Sequence, residues 1–226
     1  MMPDRSAALI RQRGLDKKER PFVRSLRMIK GEITRASILR HAVSVASVHG
    51  LEGLTIGRLA ERSGLSKSGL FGHFGSKEAL KLAVLESVVE DFRERVILPA
   101  LREPTGVLRL RRLFAAWLDW AAEEQRDGGC PLLGASIELD DRPGELRDYL
   151  VDKQKAWLDC IARSAQKAID ERELRADLDV EQFAFELNSV GLGFNFAHRL
   201  LGDRRARARA MRAFESLLAS ASARAR

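Results

Sequence analysis

The 226-residue chain is expected to be all-α: a three-helix head at the N-terminal side, joined by a long helix to a larger helical body. Three observations predict this. Apolar residues recur at three- and four-residue spacing through the long segments, the period of a helix with one buried face. Ser or Thr stands ahead of several of these segments, and Gly or Pro follows them, as helix starts and stops require. Finally, GLSKSGLFGHFGSKEAL, Gly64 to Leu80, sets four glycines between two helical flanks, a density that marks tight turns between short helices.

The first thirty residues are basic and have broken periodicity, so 1–30 reads as a mobile arm. A basic arm can follow a DNA backbone or enter a minor groove; a misassigned start would look identical, and both stay open. From Thr34, TRASILRHAVSVASVHG places Ile38, Ala42, Val45 and Val48 near one face, with Ile33 and Leu39 adding bulk, and Gly50 can stop the helix. Thr55 can cap a second helix, LTIGRLAERSG, whose Ile56, Leu59 and Ala60 face a small core. Gly64 then permits the turn and Ser66 can cap a third helix. Leu65, Leu70 and Phe74 face inward while Ser66, Lys67 and Ser68 stay at the exposed N-terminal end. That is helix, turn, helix, and such an end is what a recognition helix offers to a major groove. Gly75 closes the third helix and Ser76 can cap a fourth. Lys77 in its first turn is awkward for the helix dipole unless an anion is near; phosphate contact is favoured over a solvated lysine there.

Charge is unevenly placed. Residues 1–82 carry 16 Lys/Arg against 7 Asp/Glu, residues 83–200 carry 16 against 23, and the net is +7. A basic front on an acidic middle suggests a polyanion partner for the front, with a solubilising surface as the alternative. No apolar run approaches the roughly 18 residues of a membrane span. No secretory signal is read at the start, so a cytoplasmic location without membrane association is expected. Cys130 and Cys160 are read as reduced thiols, and His41 and His49 lack ligand spacing, so no metal or cofactor is implied.

On TRASIL, the glycine near residue 50 and LTIGRLAERSGLSKSGLFGHFGSKEAL, followed by a long helix, the chain resembles the TetR family of transcriptional regulators over Thr34 to Val84. The resemblance implies a head at 31–80 and a ligand-binding and dimerisation domain at 81–226. It places Thr55, Ser66, Lys67, Ser68, Phe71, His73 and Lys77 at positions associated with docking on a double-stranded DNA operator. Thr55 and Lys77 would hold the backbone, and Lys67 with its serines would lie in or beside the major groove. The family often has tyrosine where this chain has Phe71, which can pack but cannot donate a hydrogen bond. His73 has two open readings, a phosphate or cap contact and a packing role. GCPLLGASIELDDRPGELRDYL is similar to a ligand-domain variant of the family.

In the body, the helix from about Ser76 to Leu98 is expected to run until Pro99, with Leu80, Val84, Val88, Phe92 and Val96 on its apolar side. VLRLRRLFAAWLDWAAEE makes another amphipathic helix, and a long one reaches about Glu171. Phe114, Trp117, Leu133, Trp157, Phe185, Asn188 and Asn195 are pocket candidates, a mixture suited to a small, mainly apolar or aromatic effector; each aromatic taken singly reads more readily as core. FAFELNSVGLGFNFAHRLL is apolar on more than one side, implying burial against its own body and something further. On the last helix, Ala206, Ala210, Phe214 and Leu217 share a face; the resemblance implies that the last two helices pair two protomers, and a monomeric core is the alternative. No G-x-S-x-G, H-E-x-x-H or phosphate-loop motif is present, so an enzyme is not expected. A repressor released by its effector is favoured, with a ligand-independent regulator, an activator and a non-DNA-binding helical adaptor as alternatives.

Overall fold

The structure, a computed structural model, describes residues 20–64, 66–123 and 127–223; the side chains of residues 20–31, Ser63 and Phe71 lie outside the description. The proposed arm up to residue 19, the inward packing of Leu65 and any contact by Phe71 therefore fall outside it. Among the described residues the fold is all-α, with head helices leading into a helical body.

Helix α1, Arg20–His49, begins fourteen residues before the Thr34 start that periodicity marks. It buries Ile38, Ala42, Val45 and Ala46, whereas Ile33 and Val48 stand more than half exposed. At 100° per residue those two fall off the buried stripe. Gly50 ends the helix at φ +72°, its N–H donating to the Ala46 carbonyl at 2.9 Å. Helix α2, Ile56–Ser63, starts at Thr55, whose hydroxyl accepts from the Arg58 N–H, and ends at Gly64 with φ +66°. Helix α3, Lys67–Phe74, is capped by Ser66, whose Oγ accepts from the Gly69 N–H at 3.1 Å. Helix α4, Lys77–Phe92, is capped by Ser76, which accepts from the Ala79 N–H at 3.0 Å. These caps satisfy amides that a helix start leaves open.

Past Phe92 the long helix widens into a π turn, Arg93–Ile97, and continues as α5, Leu98–Leu101. Pro99 does not stop it, contrary to expectation. In a regular α-helix its ring would crowd the carbonyl four residues back; here the Leu98 N–H reaches the Arg93 carbonyl, five residues back, so the widened turn absorbs the crowding.

The body comprises α6 Gly106–Ala121, α7 Pro131–Leu139, α8 Glu145–Asp170, α9 Val180–Asn195 followed by a π turn Phe196–Leu200, and α10 Ala206–Ala221. Its core gathers Phe92 and Val96 from the long helix with Leu113, Phe114, Ile161, Leu187 and Phe214. A second core centres on the head, and Ala135, Leu139 and Leu150 of the body enter it beside Leu54, Leu59 and Leu70. Head and body are thus packed through shared side chains as well as joined by α4.

Candidate nucleic-acid interface and body cavity

The N-terminal end of α3 is the exposed tip of the head. Ser66, Lys67 and Ser68 are all exposed there, with the two serine hydroxyls 3.1 Å apart. Lys67 makes no ion pair among the described residues, so its charge is available to a polyanion. Thr55, also exposed, spends its oxygen on the Arg58 amide at 3.3 Å. His73 is half-buried with its ring 6.5 Å from that of Phe74, and Phe74 carries the Arg35 guanidinium 5.1 Å from its centroid.

Lys77 already has an anion: its Nζ lies 3.5 Å from Glu52 Oε2. The same carboxylate meets Lys81 at 2.5 Å, and the buried Lys81 also pairs with Glu78 at 3.2 Å. The hydrogen bond from Lys81 holds the Glu52 carboxyl below its ordinary range. Burial alone would lower Lys81, but the carboxylates of Glu52 and Glu78 reverse that and raise it. For Glu52 the folded pKa is depressed, so its contribution to stability is present above the unfolded value and is lost as pH falls through the folded one. An NMR titration of Glu52 is expected to give a midpoint below the ordinary glutamate range, moving up toward it in Lys81→Met. An unshifted midpoint in the unmodified protein would contradict the ion pair.

Body and head also meet through backbone groups. Glu138, on α7, accepts from the N–H groups of Leu51 and Glu52 at 2.7 and 2.6 Å. Gly129 donates to the Ser47 carbonyl at 3.1 Å, and Ser44 donates to Asp127. Gly128 packs so tightly on α1 that an added Cβ would sit 2.0 Å from the Ser47 carbonyl oxygen.

Between α4, α6, α7, α8 and α9 lies a cavity of about 710 Å³. Four sequence-named residues line it: Trp117, Leu133, Trp157 and Asn188. Three do not. Phe114 is wholly buried in the core, Phe185 is 63% exposed on the outer side of α9, and Asn195 sits near the end of α9 away from the lining. Phe92, Trp120 and Tyr149 line it and were not anticipated. Trp120 stands one helical turn beyond Trp117, a spacing that could have revealed it. The rings form a perpendicular series: Phe92 meets Trp120 at 5.0 Å and Trp157 at 5.1 Å, and Trp157 meets Trp117 at 5.3 Å, all edge to face. The Trp120 indole donates to Asp91 at 2.6 Å and that of Trp157 to Asn188 at 3.2 Å. Gly191 lets α9 approach the Trp117 ring, which a Cβ would meet at 2.0 Å.

The last helix does not present the face anticipated for a partner. Ala206, Ala210 and Phe214 are buried in the chain's own core and Leu217 is half-buried against it. Exposed apolar side chains recur along α9 and the turn after it, where Phe185, Leu192, Phe196 and Leu200 stand 63, 41, 55 and 72% exposed, while others such as Ile33 and Ile137 stand singly elsewhere. No helix among the described residues is long and apolar enough to cross a membrane, and no group of three metal-ligating side chains occurs among them.

Residues 38–84 match the model of bacterial regulatory proteins of the tetR family, and residues 106–214 match the tetracyclin repressor-like C-terminal domain. The chain is 25% identical over 174 residues to the uncharacterized HTH-type transcriptional regulator YezE of Bacillus subtilis, covering 76% of this chain and 89% of that protein. It is 29% identical over 161 residues to the HTH-type transcriptional repressor AcnR of Corynebacterium efficiens, covering 71% and 79%. A TetR transcriptional regulator from Chloroflexus aurantiacus superposes with a TM-score of 0.75 at 27% identity, over 84% of this chain and 94% of that one. With a head and a body that each match, and a helix-turn-helix head joined to a cavity-bearing helical bundle, the chain belongs to the TetR family of helix-turn-helix DNA-binding transcriptional regulators.

Proposed function

We propose that this regulator is a repressor that binds a palindromic operator as a dimer and is released when a small, mainly apolar or aromatic effector fills the body cavity. The observation that carries this is the aromatic cavity whose α7 wall also holds the head through Glu138. A ligand that prefers a different setting of that wall lowers DNA affinity by its differential binding to the two arrangements, and by no more than that. Similarity to the repressor AcnR supports the direction of control.

On DNA, Lys67 with Ser66 and Ser68 enters or flanks the major groove, Thr55 and Lys77 hold the backbone, and Phe71 and His73 flank the contact. Lys77 exchanges the Glu52 carboxylate for phosphate when it docks. The second protomer covers the stripe of Phe185, Leu192, Phe196 and Leu200, which spans about 22 Å of helix at 1.5 Å per residue. On this reading the twofold contact lies on α9 and Phe214 stays inside the protomer.

Selection from random duplexes is expected to enrich two inverted half-sites, and folded protein that enriches no reproducible motif would overturn the assignment. On the selected duplex, Lys67→Ala should weaken binding. If Lys67 of each protomer meets phosphate, the slope of log K against log salt should shrink by about 1.8 for the dimer; if it meets a base edge, discrimination at one position of each half-site should relax instead. An unchanged affinity, slope and preference would remove Lys67 from the interface.

A further inference from the structure

We propose that the cavity selects a monocationic amphiphile, an apolar or aromatic body bearing one ammonium-type charge that seats against Glu86. The inference rests on the cavity being the effector site and names the chemistry of that effector.

Four ionic side chains line the cavity: Glu86, Glu90, Arg93 and Lys153. Both basic groups are already held by carboxylates. Arg93 grips Glu90 through two hydrogen bonds of 2.8 and 2.5 Å, and Lys153 pairs with Asp152 at 2.8 Å while lying 5.1 Å from the Tyr149 ring centroid. Glu86 alone of the four has no ion pair or hydrogen bond among the described residues. With Arg93 held by Glu90 and Lys153 held by Asp152, which lies outside the lining, Glu86 is the one lining charge without a counter-ion among the described residues. An anionic ligand would have to break a carboxylate pair to find a partner, whereas a cation finds one waiting.

The rings favour the same sign. Phe92, Trp120, Trp157 and Trp117 stand edge to face, and the Trp120 and Trp157 indole N–H groups are spent on Asp91 and Asn188. These two indole N–H groups are therefore already spent, and what the rings bring to the wall is aromatic surface, which attracts cations. Position sets the ligand's length. Glu86 precedes Phe92 by six residues on α4, about 9 Å along the axis, so the charge sits near one end of the cavity and the apolar body runs into the rings.

All three tryptophans of the chain line this cavity, which makes intrinsic fluorescence a local reporter. The full-length protein is titrated with hexyltrimethylammonium, hexanesulfonate and heptan-1-ol, three probes of similar length and different charge. The cation is expected to bind at least about tenfold more tightly than the sulfonate and more tightly than the alcohol. In Glu86→Gln the preference should fall to about twofold while the alcohol binds unchanged, as expected for an exposed side chain whose loss leaves packing intact. Sulfonate or alcohol binding as tightly as the cation, or a preference that survives Glu86→Gln, would overturn this inference and leave the effector-cavity assignment standing. Failure of all three probes to perturb the tryptophans of folded protein would overturn both.

Discussion

Replacing Phe214 with alanine is expected to cost about 3 to 5 kcal/mol of fold stability, the range for emptying a buried aromatic site. Its ring is fully buried and lies stacked on Phe114, with centroids 4.6 Å apart and planes 30° from parallel. Both faces of the resulting hole would be rigid body core, so little collapse can fill it. At a urea slope of about 2 to 3 kcal/mol/M, the midpoint should fall by roughly 1 to 2.5 M. Circular dichroism at a fixed protein concentration reads this, because unfolding of any dimer also depends on concentration. The opposite behaviour is expected of Phe196→Asp. Its ring is 55% exposed, so the protomer should keep its melting behaviour at high dilution while sedimentation shows weakened association. If Phe214→Ala instead yields a stable, well-folded monomer, the residue belongs to a subunit contact after all and the packing described for α10 is wrong.

Phe214 also shows what sequence can and cannot carry. Periodicity identifies a buried face on α10, but the same spacing results whether that face meets the chain's own bundle or a second copy. The surplus of apolar surface on α9 was legible for a related reason: Phe183, Leu187 and Phe194 fill the core while Phe185, Leu192, Phe196 and Leu200 remain outside, more than one helix face can bury within one chain. Apart from the early start of α1 and the exposure of Ile33 and Val48, the head was legible because its signals are local. Thr55, Ser66 and Ser76 each cap an amide three residues on, and Gly64 and Gly75 take positive φ at the breaks. Helix α7 was not anticipated. It is nine residues long, carries Gly134 inside, and its PLLGAS start is apolar without a period, so only Pro131 at its first position marks it. Most of the cavity lining was likewise hidden, since residues such as Phe92 and Tyr149 reach it only through the packing of α4 against α8.

Replacing Glu138 with alanine is expected to loosen the head without unfolding the body. Its carboxylate accepts two backbone N–H groups, from Leu51 and Glu52, across a separation of more than eighty residues. Hydrogen bonds to a charged group contribute about 1.5 to 3 kcal/mol, and losing the partner leaves the part-buried Leu51 amide without an acceptor unless water enters, while the exposed Glu52 amide turns to solvent. A net loss of about 2 to 3 kcal/mol in local opening corresponds to amide exchange at Leu51 and Glu52 about 30- to 150-fold faster, with core amides such as those of Ile161 and Leu187 unchanged. Glu138→Gln should lie between the two, since a neutral amide oxygen can still accept but only one such oxygen remains. The consequence for regulation follows from where α7 sits: Leu132, Leu133 and Ser136 line the cavity, and Glu138 stands less than one turn further along the same helix. With the carboxylate gone, a ligand can still bind in the cavity but loses its grip on the turn between α1 and α2. Affinity for the selected duplex should then respond less to heptan-1-ol or hexyltrimethylammonium than in the unmodified protein, at equal occupancy of the cavity as read by tryptophan fluorescence. A variant whose exchange rates rise as expected but whose DNA affinity responds to the probes as before would show that α4, and not α7, carries the coupling.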